Sequence, residues 1–347
     1  MSGQSLGPVL GGIIAQFLGF HAIFWFLFIF GTLTLFLIVL FLPETLRSIA
    51  GNGTMKLNGI HQPLIYSYKE PADEDIDHNT PPRKKITLST IFFPFKALKE
   101  KDVFIILIVG ATHYTTWSMV TSSTTALFEG PFNLNLLQLG LIFLPNGIGS
   151  TIGALLTGRQ SKREWDDAER AYRKEKNIPE HVPLKRKELV DFPFERARMG
   201  SMWWMVLIFV AATALYGYSF KLNDDIVVPL ILQFLIAYTQ ASIFNINQTL
   251  IVDLYPEAAA SASAINNLVR CLLGAGGVAV IQPMIDAIGA GTSFVILAGI
   301  TAGMSLLLIL EWYKGEEWRL ARKERLATEK QAKLAAETEK GVSDEKR

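Results

Sequence analysis

The sequence predicts an all-α polytopic membrane protein with eight transmembrane helices. Three observations point there. Half of the 347 residues are hydrophobic, and the mean hydropathy of +0.28 is high for a water-soluble chain of this size. Uncharged stretches recur that match the roughly 20 apolar residues needed to cross a hydrocarbon core. Basic residues are sorted along the chain: 31 of the 33 Lys and Arg fall in 47–101, 159–198 and 314–347. Eight buried helices of a soluble protein would have no reason to sort charge in this way.

The expected spans, in order, begin with 5–20, which is uncharged but Gly-rich and only 16 residues long. The segment 23–42 has no charge in 20 positions, 103–125 none in 23, and 226–252 none in 27. Residues 136–158, 201–220 and 292–310 are also uncharged, and 265–285 carries one charge, Arg270. The excess of Lys and Arg marks the cytoplasmic side. Counting spans between the basic segments places all three on that side. Residues 47–100, with Pro71, Pro81 and Pro82 among many charges, read as a largely irregular cytoplasmic linker. Within it, 91–95 reads as an interfacial lead-in to the next span, and the acceptor triplet Asn52-Gly53-Thr54 is discounted because it lies inside. Residues 159–199 form a charged, partly helical cytoplasmic loop within a six-span region, 101–313. The tail, 314–347, is polar on nearly every face and reads as a solvated cytoplasmic helix.

Composition also excludes function classes. A single cysteine, Cys271, leaves no disulfide framework, Cys-rich zinc site or redox pair. A net charge of +1 gives no basic stripe for nucleic acid. No metal-spaced carboxylates, His cluster, Ser–His arrangement or phosphate-binding Gly loop is evident, so neither an enzyme, nor a metal, nor a cofactor is expected.

Polar residues inside spans carry the functional expectations. Gly3, Gly7, Pro8, Gly11 and Gly12 combine close-packing glycines with a helix-bending proline. In 226–252, Gln233, Gln240 and Asn247 recur every seven residues, and Gln240, Phe244 and Gln248 every four, so they share or adjoin one face. Amides are costly in lipid, so that face looks towards other helices or a solute cavity. In 103–125, His113, Trp117 and Thr121 lie at i, i+4 and i+8 with Tyr114 adjacent, a face that suits a planar or cationic solute or simply packs in the core. The many hydroxyls of that span can bond their own helix carbonyls. Arg270 lies nine residues past Ser261, about 14 Å into its helix. A charge at that depth either snorkels or works, with Asn266, Asn267 and Asp253 as candidate neighbours. No Asp or Glu lies in a span interior.

The string 3–12 resembles the fifth-span signature of antiporters of the major facilitator superfamily. Pro43-Glu44-Thr45-Leu46-Arg47 resembles the element closing their first six-helix half. Residues 140–147, followed by Gly158-Arg159-Gln160-Ser161-Lys162-Arg163, are similar to their eighth span and the cytoplasmic loop motif after it. Asp253-Leu254-Tyr255-Pro256, 266–270 and Gln282-Pro283 are similar to their tenth and eleventh spans. The combination is closest to fungal drug–proton antiporters with twelve spans, of the quinidine-resistance type. The resemblance implies a major-facilitator-type bundle. Residues 1–46 would be the last two spans of the N-terminal half and 101–313 the complete C-terminal half, with the first four spans missing. It further implies proton-coupled export of small organic compounds or drugs by alternating access. The in-span residues read from spacing and depth, His113, Tyr114, Trp117, Thr121, Gln233, Gln240, Phe244, Asn247, Gln248, Asn267 and Arg270, are then the candidates to line the solute cavity. The expected partners are the lipid bilayer, a small organic solute and, by resemblance, protons. The expected membrane is the plasma membrane rather than the vacuole. A truncated, non-transporting membrane protein with a binding or scaffold role is the alternative.

Overall fold

The computed structural model describes residues 3–42, 44, 98, 100–179, 192–221, 225–255 and 259–345. Most of the expected linker, including the interfacial lead-in and the Asn52 triplet, lies outside the described residues. So do Pro43, Thr45 to Arg47, and Pro256. The described residues form eleven helices and no strand. The chain divides into two compact units, one of residues 1–10 and 92–347, the other of residues 11–91.

Helix α1 covers Gly3–Leu18 and α2 covers Phe20–Phe41, with the chain turning at Gly19 (φ 82°). That turn ends α1 after 16 residues, and its apolar part, Leu6–Leu18, is too short to cross a bilayer unaided. Seven helical stretches among the described residues are long and apolar enough to do so, where the sequence suggested eight. No residue of α2 is buried. Beside Gly3, Gly7 and Gly11 no described atom lies within 4 Å of where a Cβ would stand.

The remaining helices are α3 (Lys101–Phe132), α4 (Leu136–Leu141), α5 (Leu144–Lys176), α6 (Phe194–Met199), α7 (Met202–Ser219), α8 (Val227–Leu254), α9 (Ala259–Ile288), α10 (Ala290–Ser305) and α11 (Leu307–Glu345). Helix α4 starts with a capping box between Asn135 and Gln138. Pro145 sits in the first turn of α5, where a missing N–H costs nothing. Residues 136–158 are therefore two helices rather than one. Gly158 and Arg159, expected at a loop, lie inside α5, which continues to Asn177 in the left-handed region (φ 53°).

Helices α3 and α8 lie at the centre, α8 packing on α3, α5, α7 and α9, and α3 also on α9, α10 and α11. Small residues set these contacts. A Cβ on Gly149 would lie 2.5 Å from the Phe234 carbonyl oxygen, and one on Gly153 2.3 Å from that of Tyr238. Gly217 meets Ala290 O in the same way, at 2.4 Å. Hydroxyls of Thr112, Thr115, Thr121, Ser123 and Thr124 bond carbonyls of their own helix. Thr116 instead reaches Thr301 of α10 at 2.8 Å.

The basic end of the bundle, where α3, α7 and α9 start and α5 and α8 finish, holds a buried charge cluster. Arg198 Nε donates to Asp253 Oδ2 at 2.9 Å, and its guanidinium lies 4.3 Å from the Trp165 ring. Arg319 Nε donates to Glu195 Oε1 at 2.9 Å, and its Nη2 to the Phe192 carbonyl at 2.7 Å. Arg322 Nη1 lies 2.6 Å from Asp102 Oδ2, with the guanidinium 4.4 Å from the Tyr255 ring. The start of the expected solvated tail is therefore part of the bundle: Arg319 and Arg322 are 1% and 4% exposed. Their partners on α6 and α3 could not be read from the polar pattern of the tail itself.

Gly153→Leu should destabilise the bundle by at least about 1–3 kcal/mol, because the added side chain meets backbone that cannot step aside. Gly299→Leu, where no atom lies within 4 Å of a Cβ, should be nearly silent. Thermal unfolding of the two variants in detergent checks both.

Candidate solute cavity

The middle parts of α3, α8 and α9 and the first turns of α5 border a cavity of about 310 Å³. Tyr114 and Trp117 come from α3, Ser150 from α5, Ala237, Gln240, Ala241 and Phe244 from α8, and Arg270 from α9. Spacing of four along α8 places Gln240 and Phe244 one turn apart on the same face. Small residues at 237, 241 and 150 leave the space that the larger side chains surround.

Arg270 is the single charge among the residues lining this space. Its guanidinium lies 4.4 Å from the Tyr114 ring centroid and 4.7 Å from that of Phe244. Such contacts hold a desolvated cation between aromatic faces. Nη2 donates to Asn267 Oδ1 at 3.0 Å, while Nε is buried without a hydrogen-bond partner. Gln240 Oε1 is also buried and unpartnered. Trp117 Nε1 donates to Asn146 Oδ1 at 3.0 Å, which fixes the indole against Tyr114, the rings 5.6 Å apart. A guanidinium with an unused donor, an amide oxygen and three aromatic walls can hold a small solute that carries an anionic group and an apolar body.

Of the residues singled out in the sequence, Tyr114, Trp117, Gln240, Phe244 and Arg270 meet at this cavity, and Asn267 supports Arg270 from the next turn. Asp253 pairs with Arg198, and Asn266, one turn before Arg270, gives its amide to Gln248, whereas Arg270 bonds Asn267. His113 is turned into the core. Its Nδ1 is 2.9 Å from the Val109 carbonyl, its Nε2 3.4 Å from Ser305 Oγ, and its ring packs on Phe209. Thr121 gives its hydroxyl to the Trp117 carbonyl and does not line the cavity. Gln233 and Asn247 are 1% and 2% exposed and also lie outside it; Asn247 packs where a side chain on Gly110 would otherwise stand. Sequence reasoning missed Ser150, three residues past the quoted 140–147 string, and quoted Asn146 within that string without singling it out as a site residue.

Gln248 belongs elsewhere. It donates to Ser263 Oγ and accepts from Asn266 Nδ2, both at 2.7 Å, and it lines a second cavity of about 490 Å³ towards the basic end. That space is bounded by Gly158, Ser161, Lys162 and Arg198, and it lies two helical turns along α5 and α8 from the first. Arg159 is exposed and does not line it.

Residues 1–278 match the sequence model of the Major Facilitator Superfamily. The chain is 48% identical over 328 residues to citrate exporter 1 of Aspergillus niger, an alignment covering 94% of this chain and 62% of the exporter. It is 32% identical over 342 residues to the MFS-type transporter phiD of a fungal species, covering 96% of this chain and 51% of that protein. It is 29% identical over 316 residues to the MFS antiporter QDR2 of Candida albicans, covering 88% and 60%. The chain thus spans less than two thirds of the length of these relatives.

A cysteine replacing Gln240 should react with a small polar thiol reagent from water, whereas one replacing Gln233 should not, although the two positions lie only seven residues apart. Mass spectrometry of the labelled protein reads the difference. Equal labelling at both positions would contradict the cavity boundary.

Proposed function

The chain belongs to the major facilitator superfamily, and we propose that it serves a secondary transporter that exports small organic acids by alternating access. The observation that carries this reading is Arg270, held between Tyr114 and Phe244 at a cavity none of whose lining residues is acidic. A guanidinium in that position favours an anionic solute and disfavours a cationic one. A volume of about 310 Å³ suits a solute of a few carboxyl groups on a short carbon frame. The likeness to a citrate exporter supports the same class.

In this reading the carboxylate takes the unused Nε–H of Arg270 and displaces Asn267 from the guanidinium, while Gln240 accepts a hydroxyl or a protonated carboxyl. Tyr114, Trp117 and Phe244 cover the apolar frame. The basic end faces the cytoplasm, in keeping with the charge sorting of the chain. The plasma membrane is the proposed location, with the bilayer and the exported solute as partners. Coupling to protons is proposed from the resemblance to antiporters, with the coupling group outside this cavity. The aromatic walls favour a second reading, export of flat organic drugs, to which the antiporter relative lends support. A scaffold role without transport is the remaining alternative.

Arg270→Gln should lower citrate export from expressing cells about 10- to 100-fold, the equivalent of losing one charged hydrogen bond of about 1.5–3 kcal/mol. Arg270→Lys should recover only part, because an ammonium lacks the planar stack on Tyr114 and Phe244. Surface abundance should be unchanged in both. Normal export by Arg270→Gln would remove the anion-site reading, and absence of any export by the unaltered protein would favour the scaffold role.

A further inference from the structure

Among the described residues, the charge cluster at the basic end holds one more buried acid than buried arginine. It contains four buried carboxyl groups, on Asp102, Glu195, Asp253 and Glu311, and three buried guanidiniums, on Arg198, Arg319 and Arg322. Each arginine has its own acid: Arg198 takes Asp253, Arg319 takes Glu195, and Arg322 takes Asp102. Glu311 is the fourth acid. It is fully buried, and neither of its carboxyl oxygens has a hydrogen-bond partner. It follows directly on the uncharged span 292–310, one turn of α11 before Gly315. A Cβ on Gly315 would stand 2.7 Å from Glu311 Oε1 and 2.9 Å from Glu195 Cγ, so the two acidic side chains converge at that glycine. The charges that bear on Glu311 are those of Asp102, Glu195 and Arg322. Arg322 is already engaged with Asp102, the Leu254 carbonyl and the Tyr255 ring. The next pair outward on the same helix, Arg325 with Glu100, closes the rim and is neutral in itself.

A buried carboxylate with no donor, facing other carboxylates, has no compensation for its charge. We propose that Glu311 is a proton-binding site, holding its proton when the bundle is closed at the basic end. The proton comes from water at that end and adds to one carboxylate oxygen of Glu311; no other group changes state. With it Glu311 is neutral beside Glu195 and Asp102. Without it a further carboxylate faces those two, and repulsion among them loosens the contacts of α11 with α6 and α3. Proton occupancy at Glu311 thereby sets how tightly this end is clamped. The inference does not rest on which solute is carried.

The test is infrared difference spectroscopy of the purified protein at neutral pH, read in the protonated-carboxyl C=O region, comparing the unaltered chain with Glu311→Gln. The expected result is a buried carboxyl band that Glu311→Gln abolishes while thermal stability is kept, since the amide mimics the neutral acid. Absence of the band in the unaltered protein, or its survival in Glu311→Gln, would overturn the proposal. Asp102→Asn provides a second reading. It frees Arg322 to turn to Glu311, so the band should be lost there as the carboxyl ionises; its persistence would overturn the charge-balance argument.

Discussion

The contact on which the rest of the bundle depends is the backbone-to-backbone approach of α5 and α8 at Gly149 and Gly153. No side chain fits between these glycines and the carbonyls of Phe234 and Tyr238. In lipid, where apolar burial between helices gives little drive, such close packing is a main source of association. It also fixes the rotation of α8 about its axis. With the backbone at Phe234 and Tyr238 against α5, Gln240 and Phe244 lie on another face of α8 and line the space between α3, α5 and α9. The candidate cavity lies on the face that this rotation sets.

Two kinds of polar burial result, and they differ in purpose. At the basic end, guanidiniums and carboxylates meet in pairs, with aromatic rings of Trp165 and Tyr255 against the guanidiniums. Paired charges of this sort add little net stability over apolar packing, but losing one partner of a pair is expensive. They therefore specify one arrangement of α3, α6, α8 and α11. At mid-helix, by contrast, Arg270 and Gln240 keep unused hydrogen-bonding atoms. Unpartnered groups of that kind suit a site completed by a solute.

Most of the membrane-length helices and their order were legible in the sequence, because uncharged runs of bilayer length leave few alternatives. The four-residue spacing of Gln240 and Phe244 was legible as one face, and the depth of Arg270 in its span singled it out before the structure placed it at the same cavity. The heptad linking Gln233, Gln240 and Asn247 said that these amides share a direction, but not which neighbour covers each level. At Gln240 the neighbours leave open space, whereas Asn247 fills the notch that Gly110 leaves. His113 shared a helix with Tyr114 and Trp117, yet its ring belongs with Phe209 and Ser305, contacts made across long stretches of chain. The tail misled for the same reason. Arg319 and Arg322 look solvated until Glu195 and Asp102, distant in sequence, are brought against them.

The central claim is that this cavity recognises negative charge through one guanidinium. Direct binding of radiolabelled citrate to the purified protein, in competition with unlabelled citrate or its uncharged trimethyl ester, tests it most simply. The two competitors share a carbon frame and differ in charge. The account predicts that citrate displaces the label and the ester does not. Equal displacement by the ester would mean that the aromatic walls, rather than Arg270, select the solute.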